Sequence, residues 1–452
     1  MGAMSQELRL PAADSGASAI STGEDRGVGA VASWVDLLAA HSLSWLFLAN
    51  LVGMLLATLL LFPQLGELLG SWTYGRWATA HMDLQLYGWC SLPLVGLLLS
   101  QYFPVAGRGR GPRLALVLWS GSLWLGTAGW LSGASSGKLF LEWQGTGRGL
   151  FVANLTILAG ILGFAWLREW PTRRRGRVLR GGLLLVLVPV PWILFRTTGR
   201  DLYPPINPES GGATGTSLLG SVLGIVLVFA LLPAFLGVET RDGRRTEPRT
   251  WWILGALFAA HLLVFGLLGH GDRSHRELAQ ILGLGSVALW WPVLLRHVSR
   301  FRWPEPARPW LAAAAGWSAL LILDGVAAFL PGVLDLWKFT NALVAHAHLA
   351  MAGLWTSLAV VILESLGAKV SAPPVFARAS AFLAWNGGLS VMIVVLTLLG
   401  TLEGLEPGLL HRGGAVVPTV YGLRWIAGAA MLAASGHWLR KALARVPTEV
   451  PT

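Results

Sequence analysis

Long apolar runs separated by short polar connections dominate the chain. Twelve runs of mostly apolar residues can be delimited, and about 20 such residues are enough to cross a hydrocarbon core of roughly 30 Å. They cover residues 43–65, 77–102, 114–134, 149–168, 179–196, 215–237, 251–269, 278–297, 309–330, 338–365, 377–401 and 418–439. Because a bilayer offers no hydrogen-bond partners to a bare backbone, each run is predicted to be an α-helix. The pattern therefore predicts an all-α, polytopic membrane protein with twelve transmembrane helices, which we call spans 1 to 12.

The polar stretches around the runs predict the domain organisation and the orientation. Residues 1–40 are rich in Ala, Ser and Gly and hold no apolar run, which is typical of a disordered tail. Residues 41–442 form the membrane domain, and residues 443–452 form a second tail. Of the 34 Lys and Arg residues, 22 lie at or in the connections after even-numbered spans and in the C-terminal tail, against 9 after odd-numbered spans. The positive-inside rule therefore predicts that both termini are cytoplasmic.

Composition narrows the class of protein further. Charged residues make up 13% of the 452 residues, whereas a soluble domain carries about 25%, so an ordinary soluble enzyme is excluded. The single cysteine, Cys90, allows no intramolecular disulfide and no Cys-rich metal site. The net charge of +11 is divided among the connections and forms no continuous basic face. We therefore expect the lipid bilayer, and no nucleic acid, as a partner.

Three histidines lie at comparable depth inside the predicted membrane region. His81 is early in span 2, and His346 and His348 are in the first half of span 10. Both spans enter from the outer side in the predicted orientation, so all three side chains belong to the outer half of the membrane. Ionisable groups at such depth are costly, and they usually have a function.

The spacing of the two histidines in span 10 predicts which metals they can bind. Residues two apart on an α-helix differ by about 200° around its axis, so His346 and His348 point to opposite sides. They can serve two separate metals, and His81 can complete a two-histidine axial pair with one of them. Haem iron suits such a pair better than Zn²⁺, which takes three or four converging protein ligands. The alternative is that each is a core histidine hydrogen-bonded to a neighbour.

The segments around these histidines carry a family resemblance. HMDLQLYGW in span 2 and NALVAHAHLAMAGLW in span 10 resemble the large subunit, subunit I, of the haem-copper oxidase superfamily. The nearest likeness is to cbb-type cytochrome c oxidases and nitric oxide reductases. The resemblance implies two haems. His81 and His348 would be the axial ligands of a low-spin haem, and His346 would be the proximal ligand of a high-spin haem that reduces O₂ or NO.

The same resemblance suggests roles for four further residues. Asp324 stands before Gly325 in span 9, where cbb-type enzymes carry Glu-Gly, and is a candidate proton relay or else a structural acid. His270, at the outer end of span 7, is a candidate distal hydrogen-bond donor or vestigial ligand, or else a loop or interface histidine. Arg412, between spans 11 and 12, is a candidate partner of haem propionates. Arg424, within span 12, is either a second such partner or a snorkelling arginine.

The chain departs from the family at its second metal. The family places one His on span 6 and a His-His pair on span 7, but span 6 here has Thr216 and Ser217 near the expected position. Span 7 holds His261 and His270, which lie about 13 Å apart along a helix at 1.5 Å per residue. No tyrosine falls on span 7. We therefore expect neither copper nor non-haem iron, and the family's usual route for complete O₂ reduction is in question.

Three functional hypotheses remain open from the sequence. The first is an oxidoreductase that takes electrons from a cytochrome c-type subunit or a quinol and passes them through two haems to O₂ or NO. The second is a non-catalytic haem relay or gas sensor within a larger respiratory complex. The third is a twelve-helix secondary transporter. For the first two, the resemblance implies other respiratory subunits as partners and a bacterial-type inner membrane as the location.

Overall fold

Twelve long apolar helices make up most of the structure, a computed structural model. It describes residues 33–446 apart from 107–108, 169–173, 200–201, 203–214, 244–247, 269–273 and 413. We number the helices α1 to α12: Trp34–Leu61, Tyr74–Tyr102, Arg110–Ser132, Gly145–Arg168, Gly176–Thr197, Leu218–Leu236, Arg249–Leu267, Leu278–Val298, Glu305–Ala328, Asn341–Ala368, Ala379–Leu405 and Val416–Leu443. Each is long and apolar enough to cross a membrane. The predicted all-α fold with twelve spans is confirmed.

The first helix begins earlier than the sequence predicts. Ser33 caps it, since the Ser33 hydroxyl accepts from the Asp36 amide and the Asp36 carboxylate accepts from the Ser33 amide, both at 3.2 Å. This reciprocal capping box satisfies two amides that the first helical turn leaves unpaired. Residues 34–40, which we assigned to a disordered tail, are therefore helical. The rest of that tail, residues 1–32, lies outside the described residues.

The helices differ in how deeply they are buried. Most of α10 is enclosed by other helices, and every residue from Thr356 to Gly367 is buried. Helix α12 packs against both α1 and α11, and α11 also packs against the first part of α10. In contrast, α5 and α7 leave most of their apolar side chains on the surface, where Leu185, Val186 and Trp252 are more than two-thirds exposed. These outward faces are suited to contact with lipid.

Helices α2 and α10 share an irregularity. Each changes to π-helical geometry just after its histidines, over Leu84–Cys90 in α2 and Leu349–Trp355 in α10. The two π-helical segments contact each other, and the Trp89 indole donates to the hydroxyl of Thr356 at 2.8 Å. A π-helical turn costs backbone regularity and occurs frequently at functional sites. The shared geometry therefore directs attention to the space between these two helices.

Candidate functional site

Helices α2 and α10 bring His81 and His348 together inside the bundle. Their ring centres lie 6.4 Å apart, and their ring planes differ by 30°. Both side chains are surrounded by protein, yet both keep some accessible surface and so border an internal space. Of the two span-10 histidines, His348 is thus the one that approaches His81.

The hydrogen bonds of this pair, within the part of the chain that the structure describes, leave the same nitrogen free on each ring. Nδ1 of His81 lies 2.8 Å from the carbonyl oxygen of Ala49 in α1, and Nδ1 of His348 lies 2.8 Å from that of Val344. Because a carbonyl oxygen only accepts, each neutral ring carries its proton on Nδ1. The lone pair then resides on Nε2. Metal-binding histidines usually donate their second ring nitrogen to a carbonyl or a carboxylate in this way.

The separation of the two rings suits a metal placed between them. Metal–imidazole bonds are about 2.0–2.1 Å long, so two opposed Nε2 ligands, each about 1.1 Å from its ring centre, place the centres about 6.3 Å apart. The observed 6.4 Å agrees with this value. Two imidazoles at this separation, each with Nδ1 bound to a carbonyl, fit haem iron as a group that they would hold.

A glycine in α1 makes room for one of the rings. A Cβ atom at Gly53 would lie 2.8 Å from Cε1 of His81, closer than real Cβ contacts come. Ala49, one turn earlier, supplies the carbonyl that holds Nδ1 of the same ring. Helix α1 therefore positions His81 by a hydrogen bond and by the absence of a side chain. Neither contribution was predictable from the sequence, since neither residue type carries a chemical signal.

His346 faces a different neighbour from the other two histidines. Its Nδ1 lies 2.6 Å from Oδ2 of Asp324 in α9, and a Cβ atom at Gly325 would be 3.8 Å from its ring. A carboxylate partner of this kind fixes the ring orientation and makes the other nitrogen a stronger donor to a metal. His346 and Asp324 keep 35% and 21% of their side-chain surface accessible. Among the described residues, Nε2 of His346 has no hydrogen-bond partner, so it could bind a metal separate from one held by His81 and His348.

A long apolar cavity begins at His346. It has a volume of about 250 Å³, is partly open to the protein surface, and is lined by residues of α6, α8, α9 and α10. Its wall includes His346 and Gly325 at one end and Val298 and Leu311 at the other. No cavity wall residue is charged. Among the described wall residues, His346 is therefore the one with an evident metal-binding group.

The two arginine candidates have different surroundings. Arg412 pairs within its own loop: it lies 3.8 Å from the Glu406 carboxylate, donates to the Pro407 carbonyl, and is 62% exposed. Arg424 lies close enough to His81 and His348 to act on both rings electrostatically. The two alternatives for Arg424 and the role predicted for Arg412 stay predictions.

The remaining candidate residues lie on spans 6 and 7, where the family binds its second metal, copper or non-haem iron. His261 is buried, and both of its ring nitrogens have partners, the Leu257 carbonyl at 3.2 Å and the Ser286 hydroxyl at 3.1 Å. These contacts fit a packed core histidine. His270 lies outside the described residues, as do the side chains of Thr216 and Ser217. Within the described ranges, no group of three or more His, Cys, Asp or Glu residues could hold a metal ion. The expectation about copper and non-haem iron stays a prediction.

Comparisons with known proteins agree with this architecture. No family model matches the chain, and no curated protein matches it at significant similarity. A solved structure, described as a cryo-EM structure of a heme-copper terminal oxidase dimer, is similar to it with a TM-score of 0.50. The identity is 12%, and the match covers 93% of this chain and 86% of that one. At this identity the likeness concerns the fold: the chain has the fold of a heme-copper terminal oxidase and is a multi-pass membrane protein.

Proposed function

We propose that this chain is a haem-binding subunit of a respiratory membrane complex. In this proposal His81 and His348 bind a low-spin haem, and His346 binds a high-spin haem. One observation supports it above the others: each of the three imidazoles has its Nδ1 held by a protein acceptor, and its Nε2 has no partner among the described residues. A histidine that merely packs in a core has no need of this shared arrangement, and His261 lacks it because both of its nitrogens have partners.

The chain's own residues bind and orient the two groups. Ala49 and Val344 keep His81 and His348 in the tautomer that presents Nε2, and Asp324 does the same for His346. When bound, the haems supply the one-electron steps that carry electrons to O₂ or NO. Asp324 is also our candidate proton relay, because its carboxylate lies within the membrane and bonds directly to Nδ1 of His346.

A second candidate function is a relay or gas sensor that binds haem without reducing a gas. The sequence supports it, since span 6 has no histidine and span 7 has no adjacent pair. The partners of His261 also leave that residue without a free nitrogen. In both versions we propose a cytochrome c-type subunit or a quinol as the electron donor. We also propose that the protein lies in a bacterial-type inner membrane, with both termini in the cytoplasm.

Optical spectroscopy of the purified chain tests the proposal and separates its two versions. A reduced sample is expected to show a low-spin bis-histidine spectrum together with a band that shifts on exposure to CO. A bis-histidine spectrum that CO does not change would favour the relay. A purified chain without haem, after expression in a haem-sufficient host, contradicts both versions and leaves the transporter hypothesis.

A further inference from the structure

The end of the apolar cavity that lies farthest from His346 is close to one end of the bundle. On α8 the wall extends to Val298, the last residue of that helix, and on α9 it extends to Leu311, near the start of that helix. Leu311 is 14 positions from Gly325, which lies beside the His346 ring, and this separation is about 21 Å at 1.5 Å per residue. We call the part lined by Val298 and Leu311 the lower end of the cavity. It lies on the side that the sequence predicts to be cytoplasmic.

The lower end is apolar and can be reached from outside. Phe229 of α6 lines it together with Leu294 and Leu295 of α8. The cavity is partly open to the protein surface, and Leu295 is 38% exposed. A polar wall group near this level, the Trp291 indole, donates to the Ala315 carbonyl at 2.9 Å. Because an internal water needs two to four polar partners, this part of the cavity suits an apolar chain better than water.

Positive charge surrounds the same end. Residues 296–308, from the last turn of α8 to the first turn of α9, hold four arginines and a single acidic residue. Arg296 is adjacent to the wall residue Leu295, and Arg308 lies one helical turn before the wall residue Leu311. Both arginines are exposed, and neither forms an ion pair within the described residues. Two uncompensated guanidinium groups therefore flank the lower end of the cavity.

The chemistry of these groups indicates the class of ligand. Arg308 donates through Nε to the Trp303 carbonyl at 3.1 Å, and this hydrogen bond does not use its two terminal nitrogens. A guanidinium group binds phosphate oxygens in a bidentate manner. Basic pockets between transmembrane helices on the cytoplasmic side bind anionic lipid head groups. The nearby surfaces of α8 and α9 are suited to lipid as well, since Leu289 and Leu320 are about half exposed.

We infer that the ends of α8 and α9 bind an anionic phospholipid. Its phosphate contacts Arg296 and Arg308, and one acyl chain lies in the lower end of the cavity. A phospholipid unites the two requirements of the site, a negative charge at the surface and an apolar chain directly beside it. The inference does not depend on haem binding, since the lower end is distant from His346.

Lipid retention by the purified chain tests the charge requirement. The full chain is incubated in detergent with phosphatidylglycerol or with phosphatidylcholine that has the same acyl chains, and the lipid retained after detergent washing is measured by mass spectrometry. We expect about tenfold more phosphatidylglycerol than phosphatidylcholine, and loss of this preference in the double variant Arg296→Gln/Arg308→Gln. Equal retention of the two lipids by the unsubstituted chain would overturn the inference.

A second pair of basic residues is the matched control for that variant. Arg440 and Lys441 are exposed in the last turn of α12, on the side that is also predicted to be cytoplasmic, and they do not line the cavity. Arg440→Gln/Lys441→Gln removes the same charge and is expected to leave the retention unchanged. If both double variants lose the lipid equally, general surface charge explains the binding, and the inference is wrong.

Photochemical labelling of the unsubstituted chain tests the position of the acyl chain. Phosphatidylglycerol with a diazirine in its acyl chain is bound and irradiated, and the labelled residues are identified by peptide mass spectrometry. We expect label on wall residues of the lower end such as Leu294 and Leu311. Label confined to outward residues such as Leu289, Leu320 and Leu323 would identify an ordinary lipid of the surrounding bilayer and overturn the inference. Neither result bears on the haem ligands.

Discussion

The carboxylate of Asp324 lies 2.6 Å from Nδ1 of His346, across the interface of α9 and α10. The other two histidines of the site use backbone carbonyls for the same purpose. A carboxylate is a charged acceptor and forms a stronger, shorter hydrogen bond than a carbonyl does. Of the three imidazoles, His346 is therefore predicted to donate electron density most strongly to a bound metal. This difference separates its site from that of His81 and His348.

Substitution of this carboxylate tests its effect on the metal. We expect Asp324→Asn to raise the reduction potential of the high-spin haem, because a nearby negative charge stabilises the ferric state. Asp324→Ala is expected to weaken haem binding at His346 by about 10–100-fold, the usual cost of losing a partner of a metal ligand. Redox titration and haem retention on dilution measure these effects. If Asp324 acted only as a proton relay, turnover would fall while the potential stayed the same.

Removal of single histidines tests the assignment of the two faces of α10. His81→Ala and His348→Ala are each expected to abolish the low-spin spectrum, because each removes one of two axial ligands. His346→Ala is expected to spare that spectrum and abolish CO binding. Optical spectra of membranes from cells that express each variant are sufficient to measure both effects. Loss of the low-spin spectrum in His346→Ala would show that the two span-10 histidines are exchanged.

The contact between Gly53 and His81 predicts a selective effect of one methyl group. Gly53→Ala places a Cβ atom 2.8 Å from Cε1 of His81, so the ring must move or the hydrogen bond to Ala49 must break. We expect the low-spin spectrum to decrease or shift while CO binding at His346 persists. Gly121→Ala in α3 is the matched control, because nothing lies within 4 Å of its new Cβ atom. Identical spectra in the two variants would contradict the positioning role of Gly53.

The start of α10 depends on a carboxylate from α11. Glu403 accepts hydrogen bonds from the backbone amide of Asn341 at 2.6 Å and from its side-chain amide at 2.8 Å. Glu403→Ala removes the acceptor of both donors and is expected to destabilise the fold by about 1–3 kcal/mol. Thermal unfolding in detergent measures this loss.

A nearby glutamate serves as the control for that experiment. Glu406 is 54% exposed and contacts only Arg412, at 3.8 Å, among the ion pairs of the described residues. Glu406→Ala is expected to change stability by no more than about 0.5 kcal/mol, as is usual at surface positions. Equal destabilisation by both substitutions would argue against a specific role for Glu403.

The sequence by itself determined the features that depend on the length and the periodicity of single segments. The thickness of a bilayer sets the length of an apolar run, so twelve spans were predictable without any knowledge of packing. The helical period placed His346 and His348 on opposite sides of one span. The depth of His81 in the membrane stays a prediction from its position in span 2, and the lack of the family's second-metal histidines stays a prediction from the resemblance. The resemblance to haem-copper oxidases then indicated which ligands form a pair.

Only the tertiary structure decided the features that depend on contacts between distant segments. Ala49 and Gly53 position His81 from another helix, and nothing in the type of either residue indicates a function. The hydrogen bond between Asp324 and His346 needs α9 and α10 to pack in one register, which periodicity does not specify. The cavity is a volume left between four helices, and such a volume depends on the positions of all its walls. Side-chain volume and interhelical packing, which no single segment encodes, therefore decided the shape of the site.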